Sequence, residues 1–307
     1  MNNKTLIGGA ITLGILLLLV LSCLWAGNKI RESISGTNNN TDSSTTNEPQ
    51  NQATSQPSLP ITTVEEAQRV YLALGNPSNA AATASSSDNF LVIRNAYALS
   101  FNSSRGIPNW VAWRISEADF GAAERQNNFR PDPVLPKSLT RVTPTDYTGS
   151  GFDRGHLCPS ADRSSSDQAN SETFLMTNIA PQTPDLNREV WENLESYSRT
   201  LVRKGKVDLY IVAGAYGEKG KLKKKVTIPT NFWKVIVAVP QGVSISAINE
   251  NTHTIAVDMP NVAGIAGKNW RDFRTTVRTI EQRANVNLFS SLPQNLQETL
   301  ENRVDNN

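Results

Sequence analysis

The pattern of apolar positions divides the chain into three stretches. Residues 6–26 (LIGGAITLGILLLLVLSCLWA) are apolar and carry no charge, long enough as a helix to span a hydrocarbon core of about 30 Å. Residues 36–60 (GTNNNTDSSTTNEPQNQATSQPSLP) show no apolar period, so no core offsets the cost of ordering them. Beyond residue 62, apolar runs return at short intervals. Residues 64–74 predict a short helix. Residues 90–99, 110–115 and 174–179 predict strands, and Pro181 and Pro184 then break the chain. Between them, residues 124–136 are polar with three prolines and read as loop.

The clearest helix covers residues 186–204. Leu186, Val190, Leu194, Tyr197 and Leu201 recur at helical spacing, with Asp185 placed as N-cap and Gly205 as C-cap. Strands are predicted over 207–213, 232–239, 244–248 and 254–257, then helices over 270–283 and 294–304. Strands and helices are mixed without strict alternation. That predicts an α+β domain with a mostly antiparallel central sheet flanked by helices.

These stretches define three regions: residues 1–27, an export segment; 28–61, a disordered low-complexity linker; and 62–307, one folded domain. The apolar run is long for a signal peptide and lacks a small-x-small cleavage site, since Leu24 occupies the first small position. An uncleaved signal anchor is therefore favoured over a cleaved signal peptide or a lipid-modified Cys23. Lys4 precedes the run while Lys29 and Arg31 follow it, so flanking charge does not set a topology. The expected location is outside the cytoplasm: membrane-anchored, periplasmic or extracellular.

Composition narrows the chemistry. The 19% charged residues and net charge of +2 exclude a polymer-binder that is basic throughout. Two cysteines, one of them in the apolar run, leave Cys158 alone in the domain and exclude an internal disulfide there. Two histidines argue against a zinc site built from several His and Cys ligands. A scheme needing one imidazole remains open, and the segment Gly151-Phe152-Asp153-Arg154-Gly155-His156 supplies it. A neutral imidazole can accept a proton from water near neutral pH. Arg154, two residues earlier on an extended segment, points to the same side and can neutralise a phosphate. Gly155 permits close approach, here expected to be of backbone to substrate, while Asp153 points the other way, where it can orient a neighbour.

A second cluster lies on the long helix. Asn187 sits in its first turn, where an amide oxygen can reach a hard cation that keeps most of its waters. Glu195 is rotated by about 80° from Asn187 and Arg199 by about 120°. Glu195 and Arg199 form an i, i+4 pair, and a solvated helix face is the bland alternative. Lys219, Lys221, Lys223, Lys224 and Lys225 form a basic loop, read either as solvated or as a contact to a phosphate backbone. Trp233, Trp270 and Phe273 read as core, Cys158 as a packed thiol, and His253 carries no assigned role.

DRGH at 153–156, followed by FLMTNIAPQTPDLNREVWENLE at 174–195, resembles the DNA/RNA non-specific endonucleases of the ββα-metal (His-Me finger) superfamily, with closest similarity to the sugar-non-specific nucleases of cyanobacteria. RQNNFRPDP at 125–133 and KVTIPTNFWKVIV at 225–237 also look like family segments. The resemblance implies a ββα-metal active-site motif and makes 62–307 an endonuclease domain. By position it implies His156 as general base and Asn187 as the direct ligand of one Mg2+ or Mn2+ ion. Glu195 matches the carboxylate that reaches the ion through water. Arg154, Arg125 and Arg199 match arginines that bind the phosphate, with Arg130 close enough in sequence to be confused with Arg125. Asn178 matches a position read as structural support. The implied substrates are DNA and RNA, single- and double-stranded, cut by hydrolysis to 5′-phosphate products. The membrane is a further partner if the first segment stays uncleaved.

Overall fold

In a computed structural model, residues 63–306 are described, all within one unit of the chain (Ala53–Asn307). The export segment and the linker lie outside the described residues. Ten strands are formed among the described residues: β1 (Phe90–Ile93), β2 (Ala98–Asn102), β3 (Ile107–Ile115), β4 (Asp153–His156), β5 (Ile179–Gln182), β6 (Val207–Tyr216), β7 (Lys221–Leu222), β8 (Val226–Thr227), β9 (Asn231–Pro240) and β10 (Thr254–Pro260). Six of them make an antiparallel sheet in the order β1-β2-β3-β6-β9-β10. β4–β5 and β7–β8 are separate two-stranded ladders.

The α-helices are α1 (Val64–Tyr71), α2 (Asp167–Glu172), α3 (Trp191–Gly205), α4 (Val277–Ala284) and α5 (Gln294–Glu301). The long central strands β3, β6 and β9 are buried along nearly their whole length, as strands covered on both faces must be. Trp110, Trp113, Trp191 and Trp233 are almost wholly buried and dominate the core. The α+β class with an antiparallel sheet is as the patterning predicts.

Local chemistry overrode the pattern in several places. The run at 90–99 is a hairpin, not one strand: the Arg94 amide bonds the Tyr97 carbonyl across its turn. Residues 174–179 are not a strand. A 3₁₀ turn covers Met176–Asn178, and the ladder begins at Ile179. Pro181, expected to break the chain, sits inside β5, which a two-stranded ladder tolerates. Residues 244–248 form a 3₁₀ turn (Ile245–Ala247), because the Ser244 hydroxyl accepts from the Ser246 amide and stops extension. Residues 270–283 split into a 3₁₀ turn (Trp270–Phe273) and α4, where Thr276 caps the new helix.

The predicted helix at 186–204 exists, but its first turn is π-helical (Leu186–Val190). Asp185 is already helical in backbone and does not cap; its carboxylate accepts from the Gly264 amide instead. Gly205 is the last helical residue, and Lys206 takes the left-handed conformation that follows (φ 52).

Candidate active site

β4 and β5 form a short antiparallel ladder with Asp153 opposite Gln182 and His156 opposite Ile179. The chain then turns through Thr183–Asp185 into the π turn and α3. This strand–strand–helix unit carries Arg154, His156, Asn187, Glu195 and Arg199, while Arg125 lies outside it. Asn178 ties it together: its side chain accepts from the Cys158 amide and donates to the carbonyls of Cys158 and Thr173. It is structural support, as read. Gly155 is needed for close approach, but not to substrate. A Cβ there would lie 2.0 Å from Oε1 of Gln182, which is fully buried.

His156 is 8% exposed, and its Nε2 has no hydrogen-bond partner. Phe174 meets the imidazole edge-on at 4.9 Å between centroids, and Phe129 stands 5.4 Å away. Each ring also carries an arginine: Arg125 lies 4.9 Å from the Phe174 centroid and Arg154 4.2 Å from that of Phe129. Arg154 and His156 therefore do face one side. Burial first, then the charges of Arg125 and Arg154, lower the His156 pKa to about 3. The ring is a buried, neutral acceptor between two cations. Arg125 is further held by Ser160 and Asn127, whereas Arg130 is fastened to Asn128 and the Ser171 carbonyl. Of the two, Arg125 stands beside the imidazole.

The side-chain nitrogen of Asn187 donates to Asp153, on the same strand as His156 (2.9 Å). Arg188 grips the same carboxylate with two bonds of 2.8 Å. Burial alone would raise the Asp153 pKa; the hydrogen bonds from Arg188 and Asn187 hold it below the ordinary value. With its nitrogen committed, the Asn187 amide has its oxygen free to meet a cation. Among the described residues no three His, Cys, Asp or Glu side chains gather as a metal-holding group. An oxygen donor plus water suits a hard ion that keeps its hydration, so the residues fit magnesium or manganese.

Glu195 is buried, so the solvated-face reading fails for it. Its partner is not Arg199 but Lys234 of β9, 1% exposed, at 3.3 Å. That ammonium also lies 4.2 Å from the Trp191 ring centroid. Arg199 is engaged by Asp162, Glu192 and Ser196, since a buried carboxylate at 162 competes for it. Burial lifts the Glu195 pKa to about 7, opposed by Lys234 and Arg199 and assisted by Asp162. Arg125 acts electrostatically on both His156 and Glu195, which links the two clusters.

Sequence reasoning missed Lys234, Asp162 and the two phenyl rings. A signal existed for Lys234, a lone lysine inside the apolar run of β9. Phe129 and Phe174 also carried one, since they fall in the family-like segments at 125–133 and 174–195; Asp162 carried none. The basic loop is mostly committed to protein: Lys221 and Lys223 bond the carbonyls of Ser104 and Thr145, and Lys225 pairs with Asp146. Trp233 and Trp270 are core and Phe273 is packed against it, as read, and the buried Cys158 has its thiol pushed well up by burial.

The family model for DNA/RNA non-specific endonucleases matches residues 75–295. A nuclease of Nostoc sp. is 47% identical over 249 residues, covering 80% of this chain and 90% of its own length. A nuclease of Serratia marcescens is 33% identical over 227 residues, covering 71% of this chain and 81% of its own. Among solved structures, a complex of EndoG with EndoGI superposes with a TM-score of 0.60 at 23% identity, covering 73% of this chain and 91% of that one; it supports the fold. A ladder–helix unit bearing DRGH, a family match over most of the folded residues and relatives of such identity agree: this chain belongs to the DNA/RNA non-specific endonuclease family.

Proposed function

We propose that this protein is a metal-dependent endonuclease that hydrolyses DNA and RNA without regard to sequence or sugar and leaves 5′-phosphates. The observation that carries the reading is the unpartnered Nε2 of His156, buried between two arginines. A polar atom so placed is costly unless something completes it, and a water about to attack a phosphate would do so.

His156, kept neutral by burial and the flanking cations, takes a proton from that water. Arg154 and Arg125 leave their phenyl rings to bind the phosphate oxygens and offset the charge that grows there. Arg199, held by Asp162 and Glu192, reinforces the positive field from the helix side. Asp153 fixes the Asn187 amide so that its oxygen faces the ion. When bound, Mg2+ or Mn2+ would be held by Asn187, with Glu195 ordering its hydration, and would supply a Lewis acid for the phosphate and the leaving oxygen. The attacker is water, so the 2′-hydroxyl takes no part and both nucleic acids are substrates. The relatives named as nucleases support this assignment.

The test is to incubate the protein with supercoiled plasmid and with RNA, with magnesium or manganese, with and without EDTA. Cleavage of both that EDTA abolishes, with 5′-phosphate ends, is expected. Intact substrates in every metal-containing reaction would leave only a nucleic-acid-binding protein. The anchor or signal peptide at 1–27 and the tether at 28–61 would present the domain at 62–307 outside the cytoplasm; fractionation of the source cells checks that.

A further inference from the structure

Beside Arg154 lies a cleft of about 190 Å³ lined by Pro144, Tyr147, Thr148, Phe152, Asp153 and Arg154. Four observations bear on it. Phe152 is half-buried and stands 5.5 Å from the ammonium of Lys219, an exposed residue. Lys219 gives one of its three donors to the Asn261 carbonyl and keeps the others. The Tyr147 hydroxyl is buried without a partner, next to a cleft that could supply one. The one carboxylate in the lining, Asp153, is paired with Arg188 and accepts a hydrogen bond from Asn187, and nearby Asp146 is paired with Lys225, so neither opposes an incoming polyanion.

An aromatic ring beside one cation, in a cleft that a second cation also lines, is the arrangement that single-stranded nucleic acid favours: bases stack on the ring while the cations follow the backbone. We propose that the cleft is a nucleoside subsite, in which a base neighbouring the scissile phosphate packs on Phe152 while its outer phosphate meets Lys219. The inference rests on the endonuclease reading and names where the chain leaves the catalytic centre. It accounts for binding without base preference, because every base offers a flat face to the ring.

The test uses the full chain and a dinucleotide with one cleavable phosphodiester. A further nucleoside is added on the 5′ or the 3′ side through a charged but uncleavable methylenephosphonate linkage. In the native protein the addition raises kcat/KM on one of the two sides. Phe152→Ala is expected to cut that gain by about tenfold, Phe152→Leu by nearly as much because it keeps apolar bulk but no flat ring, and Lys219→Gln by a few fold. The affinity of labelled oligonucleotides, read by fluorescence anisotropy in EDTA, should fall in the same order. If both Phe152 variants keep the native gain on each side and the native affinity, the subsite does not exist. Anisotropy in EDTA needs no turnover, so loss of the endonuclease reading would leave this inference separately readable.

Discussion

The surroundings of His156 and of Glu195 are both buried and both charged, yet they are built on opposite principles. Around His156 the acceptor is left open: Nε2 has no partner, and the nearest cations rest on phenyl rings. Around Glu195 every charge is answered: Lys234 pairs with Glu195, and Asp162 with Arg199 and the Trp113 indole. An open polar atom is costly to keep buried, whereas a closed ion-pair network holds its own geometry. Under the proposed function the chemistry belongs to the first region and the framing of it to the second.

The largest effect should come from the open region. His156→Ala removes the base and no phosphate contact, so turnover on plasmid should fall by about 10²–10⁴-fold with oligonucleotide affinity little changed. Added imidazole should restore part of the rate. A variant that cuts as fast as the native protein would end the comparison at once.

The closed region should fail differently. Lys234→Met strands a buried carboxylate, which costs about 3–5 kcal/mol. Thermal unfolding should show it as a Tm lower by roughly 10 °C. A Tm that does not move would mean Glu195 is not held by that pair.

Between these extremes lies Asp153, whose carboxylate belongs to neither set but orients Asn187. Asp153→Ala should weaken manganese binding by about 10–100-fold, measured calorimetrically, with the fold retained. Unchanged affinity would show that the Asn187 amide needs no such partner.

The open region was far more legible in the sequence than the closed one. DRGH placed an imidazole and a cation two residues apart, and an extended segment of any kind sends both to one side. Asn187 was legible because a helix start follows the apolar period. The partners of Glu195 and Arg199 were not, since Lys234 and Asp162 lie 39 and 33 residues from Glu195, and which side chain wins a buried carboxylate depends on the sheet register. The i, i+4 rule picked Arg199, but Asp162 drew it away. The same competition between local bonds and pattern turned residues 174–179 into a turn, where Asn178 satisfies three backbone groups that a strand would have left to a neighbour.

The smallest effect, and the sharpest, is in pH. With His156 lowered to about 3, its imidazole gains no proton between pH 5 and 8. Glu195 is lifted to about 7, so its carboxylate form is lost as pH falls through that value. An acid limb in kcat/KM within this window then belongs to the closed region. Asp162→Asn removes a charge that raises Glu195, so the limb should move to lower pH, whereas Arg154→Gln should leave its position alone. Stability carries the same signature with opposite signs. A carboxyl raised above its unfolded value contributes stability that is full below the ordinary carboxylate range and lost as pH rises through about 7. An imidazole lowered to about 3 contributes nothing above its ordinary value and destabilises as pH falls below it. Urea unfolding from pH 4 to 8 should therefore lose its alkaline slope in Glu195→Gln and its acid slope in His156→Ala. A limb that followed Arg154→Gln instead would return the titration to the imidazole and reverse the roles of the two regions.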